Sequence, residues 1–573
     1  MDKFPVTENL SRLWASIIVD ELAKNSITQF YAAPGMRNAP VLAAAHYHEL
    51  VDTYSYFDER ALSYRALGRS KVSDSIPLLT CTSGTAMANF APAIIEANKS
   101  GLPLIILTAD RPSELVKTDS NQTIDQLSVI ADHTCYNLSL EAPNEALSAT
   151  RLRTLISTAI GRAKINKRPV HINLPLREPL DSTPMPISKE YLEKALESFN
   201  NNGAKVISSA YQTYQMEFEL GQKLVEAKNV LLVIGKLDGK KDLEHYQDAL
   251  MKIKVPKYLD ITSGLKYQFC LEDYLTPNFD HPEVLDVYEQ SPPEIIIHIG
   301  GRLVSKHYYN FLERNKCELI HVTNVDFDHD PGFSNTYKII CDPLSFLNGL
   351  VKLELNQAPP VMWHDFVERK RAVIEEEELT QPFISKNIIE NIDENYDLLV
   401  GNSTIVRSFD NFVSSNYRSN VNVFTNRGVS GIEGFVATLV GLSDENDKPK
   451  LLVLGDISFK HDLNSLYMLE EAAKAGKNLS VIIINNFQGD IFNLLPIAKE
   501  KEFLPLLTTP HNDRFDRLIK AFDGLSYECC ETKDDFNKLV AKALSSKGVN
   551  IIEAITNNES NMALFKKLKT VKR

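Results

Sequence analysis

No apolar run in this chain approaches the ~18 residues a helix needs to cross a bilayer, and the amino terminus, MDKFPVTENLSRLW, lacks the apolar core of a secretory signal. The seven cysteines, Cys81, Cys135, Cys270, Cys317, Cys341, Cys529 and Cys530, contain no C-x-x-C pair, and their odd number suits reduced thiols better than a disulfide framework. Together these absences predict a cytoplasmic protein with no membrane insertion. No basic block offsets the net charge of −13, which argues against nucleic acid as a bulk partner. An anionic ligand must then be met by arginines placed locally. The middle third has strand-like runs but no G-x-G-x-x-G after them, so it carries no dinucleotide signal.

What is present is a chain of 573 residues, 43% hydrophobic and 24% charged, the composition of a soluble protein of roughly three or four domains. Its organising stretch is 451–492. The apolar run 451–454 closes in Gly455-Asp456, as expected of a strand buried on both faces whose loop lies at its carboxyl end. A second run, 481–484, closes in Asn485-Asn486, and the residues between have room for a helix with Leu463, Leu466 and Tyr467 on one face. A carboxylate and an amide at matching strand ends suit a small hard cation such as Mg²⁺, which takes one or two protein oxygens and fills its octahedron with water and phosphate. The plain alternative is a βαβ unit with a solvated Asp and an Asn turn.

The first third repeats this logic. Runs 27–31, 78–81 and 103–107 lead into Ala33-Pro34-Gly35, Thr82-Ser83-Gly84-Thr85 and Thr108-Ala109-Asp110-Arg111-Pro112, and the last third answers with 398–400 leading into Gly401-Asn402-Ser403. The pattern predicts a duplicated αβ domain. Between the copies, 229–234, 294–299 and 318–322 read as three parallel strands of a further sheet. Asp326, Asp328 and Asp330 imitate the start of a calcium loop, but Pro331 and Tyr337 occupy the positions of its Gly and Glu, so a surface turn is expected. The expected boundaries are 1–182 for the first domain, 183–205 for a linker with a short helix, 206–358 for the central domain, with a joint near 357–360, and 359–573 for the last.

The spacing GD…NN resembles the fingerprint of thiamine-diphosphate enzymes. Over nearly the whole chain, the blocks APGMRNAP (33–40), FDERALSYRALG (57–68), TSGTAMAN (82–89), IILTADRP (105–112), NQTI (121–124), VHINLPLREPL (170–180), VGNSTIVR (400–407), NRGVSGIEG (426–434), GDISFKHDLNSL (455–466) and IFNLLP (491–496) resemble the 2-succinyl-5-enolpyruvyl-6-hydroxy-3-cyclohexene-1-carboxylate synthases of menaquinone biosynthesis. The resemblance implies an α/β protein of three Rossmann-like αβα domains with parallel sheets in the thiamine-diphosphate-binding fold. It also implies a homodimer or homotetramer with interfacial active sites. The implied cofactors are thiamine diphosphate and Mg²⁺ or Mn²⁺, and the implied reaction joins 2-oxoglutarate, after loss of CO₂, to isochorismate by 1,4-addition.

Carried over residue by residue, the resemblance makes Glu59 the acid–base switch at the pyrimidine, in the first domain. Asp456, Asn486 and the carbonyl of Gln488 would hold the metal. Asn402, Ser430, Ile432, Ile457, Ser458, Ile491 and Phe492 would surround the cofactor, with Ile432 beneath its rings. Ser403 and Arg407 would receive 2-oxoglutarate; Arg37, Arg111, Asn121, Gln122 and Lys306 would receive isochorismate; Arg427 would lie beside the reacting centre. The plain reading of Glu59 is a solvated first-turn acid favoured by the helix dipole. That of each arginine is a solvated surface charge. Departures from the family pattern are Met36 in place of a Ser, Asn38 beside it, His307 after Lys306, and the loop Phe487-Gln488-Gly489-Asp490, where relatives are rich in glycine. A positive φ at Gln488 would cost ~1–2 kcal/mol there. Two other classes stay open: a different 2-oxoacid decarboxylase or carboligase with the same cofactor, and a degenerate relative serving as a scaffold.

Overall fold

The computed structural model describes residues 9–200, 214–237, 239, 241–325, 334–356, 361–412 and 418–573. The three aspartates of the calcium-like turn, the joint at 357–360 and the start of the central domain at 206 lie outside the described residues. The chain forms two compact units, Met1–Ala210 and Tyr211–Arg573. Among the described residues, no helix is long and apolar enough to cross a membrane.

In the first unit, β1 (Gln29–Ala32), β2 (Asp52–Ser55), β3 (Leu78–Cys81), β4 (Ile105–Asp110), β5 (Tyr136–Ser139) and β6 (Val170–Pro175) form one parallel sheet in the order β2-β1-β3-β4-β6-β5. β1, β3, β4 and β6 are buried along their whole length, which is why they are mainly apolar, with Gln29, Thr80, Thr108, Asp110, His171 and Asn173 as the polar residues among them. Helix Leu10–Lys24 packs Leu13, Trp14 and Ile17 into that core, and Asn9 caps it by accepting from Arg12 N–H at 3.2 Å. Helix Lys189–Phe199 adds Tyr191 and Ala195 to the same core, and Trp14 Nε1 donates to Tyr191 Oη at 2.9 Å.

The second unit holds two sheets. In the central one, β7 (Val230–Ile234), β8 (Lys257–Leu259), β9 (Ile295–Ile299), β10 (Glu318–Thr323) and β11 (Asn335–Ile340) run parallel in the order β11-β10-β9-β7-β8. Three strands were expected here. The two extra ones are a three-residue strand and an edge strand with exposed residues, neither of which makes an apolar run. Tyr337 lies on that edge.

The other sheet contains β12 (Asp397–Val400), β13 (Asn422–Thr425), β14 (Lys450–Gly455), β15 (Leu479–Asn485), β16 (Leu525–Cys530) and β17 (Val549–Ile555), ordered β13-β12-β14-β15-β17-β16. This is the strand order of the first unit, element for element, so the duplication read from the sequence is present in the topology. Chain direction across the sheet reverses at β1/β3 and again at β12/β14. Crevices at the carboxyl ends of such strands are where open α/β sheets bind ligands.

One expectation is corrected. The segment after Asp456 is not one helix. It breaks into helix Asp456–His461, a 3₁₀ turn Leu463–Ser465 and helix Leu466–Lys474, and Tyr467 is 48% exposed. The cause is Asp462, wholly buried, which accepts from Val436 N–H and Ser465 Oγ, each at 2.8 Å, and so draws the chain out of helical register.

Candidate active site

In the first unit, the candidate side chains gather where β1, β3 and β4 end. Gly35 is required by close packing: a Cβ there would stand 2.4 Å from Thr82 Cβ. Gly84 has φ +85°, and its N–H donates to Gln126 Oε1 at 2.8 Å. Gln126 is buried and also donates to Asn173 Oδ1 (2.8 Å), joining a core network in which Thr108 Oγ1 meets His171 Nε2 (2.8 Å) and Asn173 donates to Asp110 (2.8 Å). Burial lowers the His171 pKa to about 4, so it is a neutral strut at pH 7. The sequence analysis missed this network, whose only signal was polar residues inside apolar strands.

Arg37 is buried. Its Nη1 donates to Leu176 O at 2.8 Å, Nη2 pairs with Glu178 at 3.3 Å, and Nε has no hydrogen-bond partner among the described residues. Burial first, and then the like charge of Arg111, hold its pKa below the usual arginine value. Arg111 donates to Ser83 Oγ, and its main-chain N–H donates to Asp110 Oδ1 at 2.7 Å. Gln122, with φ +55°, lies against the Gly84 loop, its Cβ 3.3 Å from where a Cβ on Gly84 would be. Asn121 and Gln122 are exposed. Met36 is 64% exposed, whereas Asn38 is buried and donates to Ala33 O at 3.0 Å, which makes it a turn-forming residue.

Glu59 opens helix Glu59–Val72, whose cap is Asp58. It is half-buried, and its pKa is raised chiefly by that burial, with the Asp58 charge adding to it and a hydrogen bond from Asn89 opposing. A carboxyl whose pKa is raised by burial holds its proton more tightly than an exposed one, as a group that gives and takes a proton must.

In the second unit, Asn402 follows β12. It is buried and donates to Asn426 O (2.8 Å) and Gly431 O (2.6 Å), while its Oδ1 accepts from Arg427 Nη1 at 3.4 Å. This ties the β12 turn to the segment carrying Ser430, which is exposed with φ +62°, and Ile432, which is half-buried. Ser403, with φ +68°, caps helix Thr404–Asp410, and its carbonyl accepts from Arg407.

Arg407 lines a cleft with Asp280, Thr404, Asn411, Lys370 and Leu494. Burial lowers its pKa, opposed by Asp280. Asp280 in turn accepts from Ser305 Oγ and meets His307 Nδ1 at 3.2 Å; although burial pushes its pKa up, these contacts hold it below the ordinary aspartate value. Asp280, which lines this cleft, was not among the residues the sequence singled out. Lys306 is exposed at the start of helix Lys306–Arg314, beside these groups.

Beyond β14, Asp456 is 2% exposed. Its Oδ1 accepts from Ile457 N–H at 2.7 Å, and its Oδ2 lies 3.2 Å from His511 Nε2 without the alignment of a hydrogen bond. Neither of those last two atoms has a hydrogen-bond partner among the described residues. Ser458, two residues on, is buried, and Ile457, Ile491 and Phe492 are half-buried.

The positive φ of the β15 loop falls on Phe487 (+64°), so the cost considered for Gln488 does not arise there. Three contacts hold it there: Phe487 N–H donates to Asn485 Oδ1 at 3.0 Å, His511 N–H donates to Phe487 O at 2.9 Å, and the Phe487 ring meets His511 edge-on. Asn486 is 7% exposed, and its carbonyl accepts from Asn558 at 2.7 Å. Among the described residues no three His, Cys, Asp or Glu side chains converge as a metal centre. The donors here are one bare carboxylate oxygen, an amide and main-chain carbonyls, a set that fits a hard cation completing its shell with phosphate and water.

Two parallel sheets of identical order, a half-buried Glu with a raised pKa and a donor set that fits a hard cation are the features expected of a thiamine-diphosphate-dependent enzyme. The family model described as "Thiamine pyrophosphate enzyme, N-terminal TPP binding domain" matches residues 14–129. The relative named 2-succinyl-5-enolpyruvyl-6-hydroxy-3-cyclohexene-1-carboxylate synthase in Syntrophus aciditrophicus is 35% identical, covering 99% of this chain and 100% of that one. Its namesakes in Chlorobium phaeobacteroides (30% identical, 97% of each chain) and Chlorobaculum tepidum (29% identical, 98% and 97%) extend the match. The chain belongs to this family of synthases.

Proposed function

We propose that the chain catalyses the decarboxylation of 2-oxoglutarate and the 1,4-addition of the remaining four-carbon unit to isochorismate, giving 2-succinyl-5-enolpyruvyl-6-hydroxy-3-cyclohexene-1-carboxylate. Bound thiamine diphosphate supplies the nucleophilic carbon and the electron sink. Glu59 exchanges a proton with its pyrimidine ring. Asp456 Oδ2, Asn486 and Gln488 O would hold Mg²⁺ or Mn²⁺, with Asn402, Ser430, Ile457, Ser458, Ile491 and Phe492 around the cofactor and Ile432 packing against it. Ser403 and Arg407 orient 2-oxoglutarate, and Arg427 faces the reacting centre. Arg37, Arg111, Asn121, Gln122 and Lys306 receive isochorismate.

The observation that carries this reading is the Arg37–Arg111 pair, two guanidinium groups close enough to repel each other, one of them buried with a free donor. A carboxylate placed between them relieves that repulsion, and both substrates are dicarboxylates. The proposed domains are 1–182 for the pyrimidine, 206–358 for the central sheet and 359–573 for diphosphate and metal, with 183–205 as linker. The resemblance supports a cytoplasmic homodimer or homotetramer with active sites at subunit interfaces, which sedimentation of the purified chain tests.

The first experiment is calorimetric titration of metal-stripped protein with thiamine diphosphate, with and without Mg²⁺, alongside Asp456→Ala. Metal-dependent binding abolished by the substitution is the expected result, followed by CO₂ release from 2-oxoglutarate that is productive only with isochorismate. Turnover of pyruvate without isochorismate would overturn the substrate reading. Absence of cofactor binding at saturating metal would overturn the catalytic one.

A further inference from the structure

The helix that carries Arg407, Thr404–Asp410, is fastened at its far end to the segment that carries Asp280, the opposite charge in its cleft. Asp410 is 2% exposed. Its Oδ2 accepts from Tyr258 Oη at 2.6 Å, and its Oδ1 accepts from Lys266 Nζ at 2.9 Å and from Ile261 N–H at 3.0 Å. Lys266 is wholly buried and also donates to Pro277 O at 3.2 Å, just before Asp280 in the chain. Asn278 donates to Asn411 Oδ1 across the same joint, and Tyr267 Oη donates to Phe409 O at 2.7 Å. The other buried carboxylate here, Asp260, accepts from Thr262 N–H (2.9 Å) and Val304 N–H (2.8 Å), so Lys266 is committed to Asp410.

Arg407 and Asp280 line one cleft, yet they form no ion pair among the described residues: Asp280 is held by Ser305 and His307, and Arg407 Nη1 donates to Ser403 O. Opposite charges beside apolar walls such as Leu494 and Phe565 attract strongly, so something must keep them apart. An ion pair between them would occupy the guanidinium that a substrate carboxylate needs. Asp410 lies three residues from Arg407, less than one helical turn, so a shift at this end of the helix is felt directly at Arg407.

We propose that Asp410 and Lys266 are positioning residues whose buried pair clamps the Arg407 helix to segment 277–280, holds Arg407 apart from Asp280 and keeps its guanidinium open to a carboxylate of the 2-oxoacid. The proposal rests on the reading of Arg407 as a residue that receives 2-oxoglutarate. Without the clamp the helix end loosens, Arg407 closes onto Asp280, and the cleft loses its cation for the substrate.

The test is steady-state kinetics of the full chain with thiamine diphosphate and Mg²⁺, each substrate varied in turn, for Asp410→Ala, Asp280→Asn and the two combined. Asp410→Ala should raise the KM for 2-oxoglutarate about 10-fold or more and change that for isochorismate little. Because Asp280 is what captures a loosened Arg407, the same substitution should raise it by at most about 3-fold in the Asp280→Asn background. A merely structural role for Asp410 would raise both KM values or act alike in both backgrounds, and either result overturns the proposal. Arg407→Lys, run alongside, separates the two readings. If it raises the KM for 2-oxoglutarate and Asp410→Ala does not, the clamp falls and the Arg407 assignment stands. If it leaves that KM unchanged, both fall. Should Asp410→Ala fail to fold by circular dichroism, Tyr258→Phe, which removes one hydrogen bond and no charge, makes the same comparison with an expected rise of about 3-fold.

Discussion

Glu553 Oε1 accepts a hydrogen bond from Asn485 Nδ2 at 2.7 Å, with both side chains wholly buried and carried on the neighbouring strands β17 and β15. The other Glu553 oxygen accepts from Phe515 N–H (3.1 Å) and Tyr527 Oη (2.5 Å). Asn485 also donates to Asp513 O at 3.0 Å and, through Oδ1, holds Phe487 in its left-handed conformation. A strand-borne carboxylate thus fixes the shape of the loop after β15 from behind. Glu553→Gln turns one acceptor into a donor facing donors. It should lower stability by about 1–3 kcal/mol and weaken metal-dependent cofactor binding about 10-fold or more. Urea melts and calorimetry read the two effects, and unchanged cofactor affinity would show that the relay stops short of the loop.

Glu59→Gln removes the proton exchanged with the pyrimidine. The turnover number should fall by about 10²- to 10⁴-fold, with deuterium exchange at C2 of the bound cofactor, followed by NMR, slowed in parallel. Because burial raises the Glu59 pKa above its ordinary value of 4.5, the ionised carboxyl opposes folding: stability is lost as pH rises through 4.5 toward the raised value. The cofactor-free variant should therefore melt higher than wild type at pH 7, and the gap should close below pH 4.5. A gap that does not change with pH would contradict the burial argument.

His171 works in the opposite sense. Its pKa falls from 6.5 to about 4 on folding, so its contribution is complete above pH 6.5 and is lost as pH drops toward 4. The shift corresponds to roughly 3 kcal/mol. His171→Asn should be less stable at pH 7 but lose less on acidification, so denaturant midpoints of the two proteins should converge between pH 6.5 and 4.

Arg407→Lys keeps the charge beside Asp280 but loses the planar fork. The KM for 2-oxoglutarate should rise about 10-fold or more while that for isochorismate changes little. Steady-state kinetics with each substrate varied in turn decides it, and an equal rise in both would assign Arg407 to the shared reacting centre.

What could be read from the sequence follows the burial of the strands. β3, β9, β14 and β15 are mostly apolar and run into turn residues, so their ends, and with them Asp456 and Asn486, were visible. The edge strands β2, β11 and β16 were not: their residues are largely exposed or half-exposed, and a strand open to water needs no apolar signature. The helix break at Asp462 was hidden for a different reason, since the buried groups that Asp462 accepts from include Val436, distant in sequence.

By itself the sequence determined the class of fold, the duplication and the family, because strand-end motifs and apolar runs are local features that survive as strings. Only the tertiary structure decided which polar residues act together: Arg37 with Arg111, Asp280 with Arg407, Glu553 with Asn485. These pairings depend on distance and shared burial. A parallel sheet brings together strand ends that lie tens of residues apart in the chain, and no spacing in the string records which side chains then share one pocket of low dielectric.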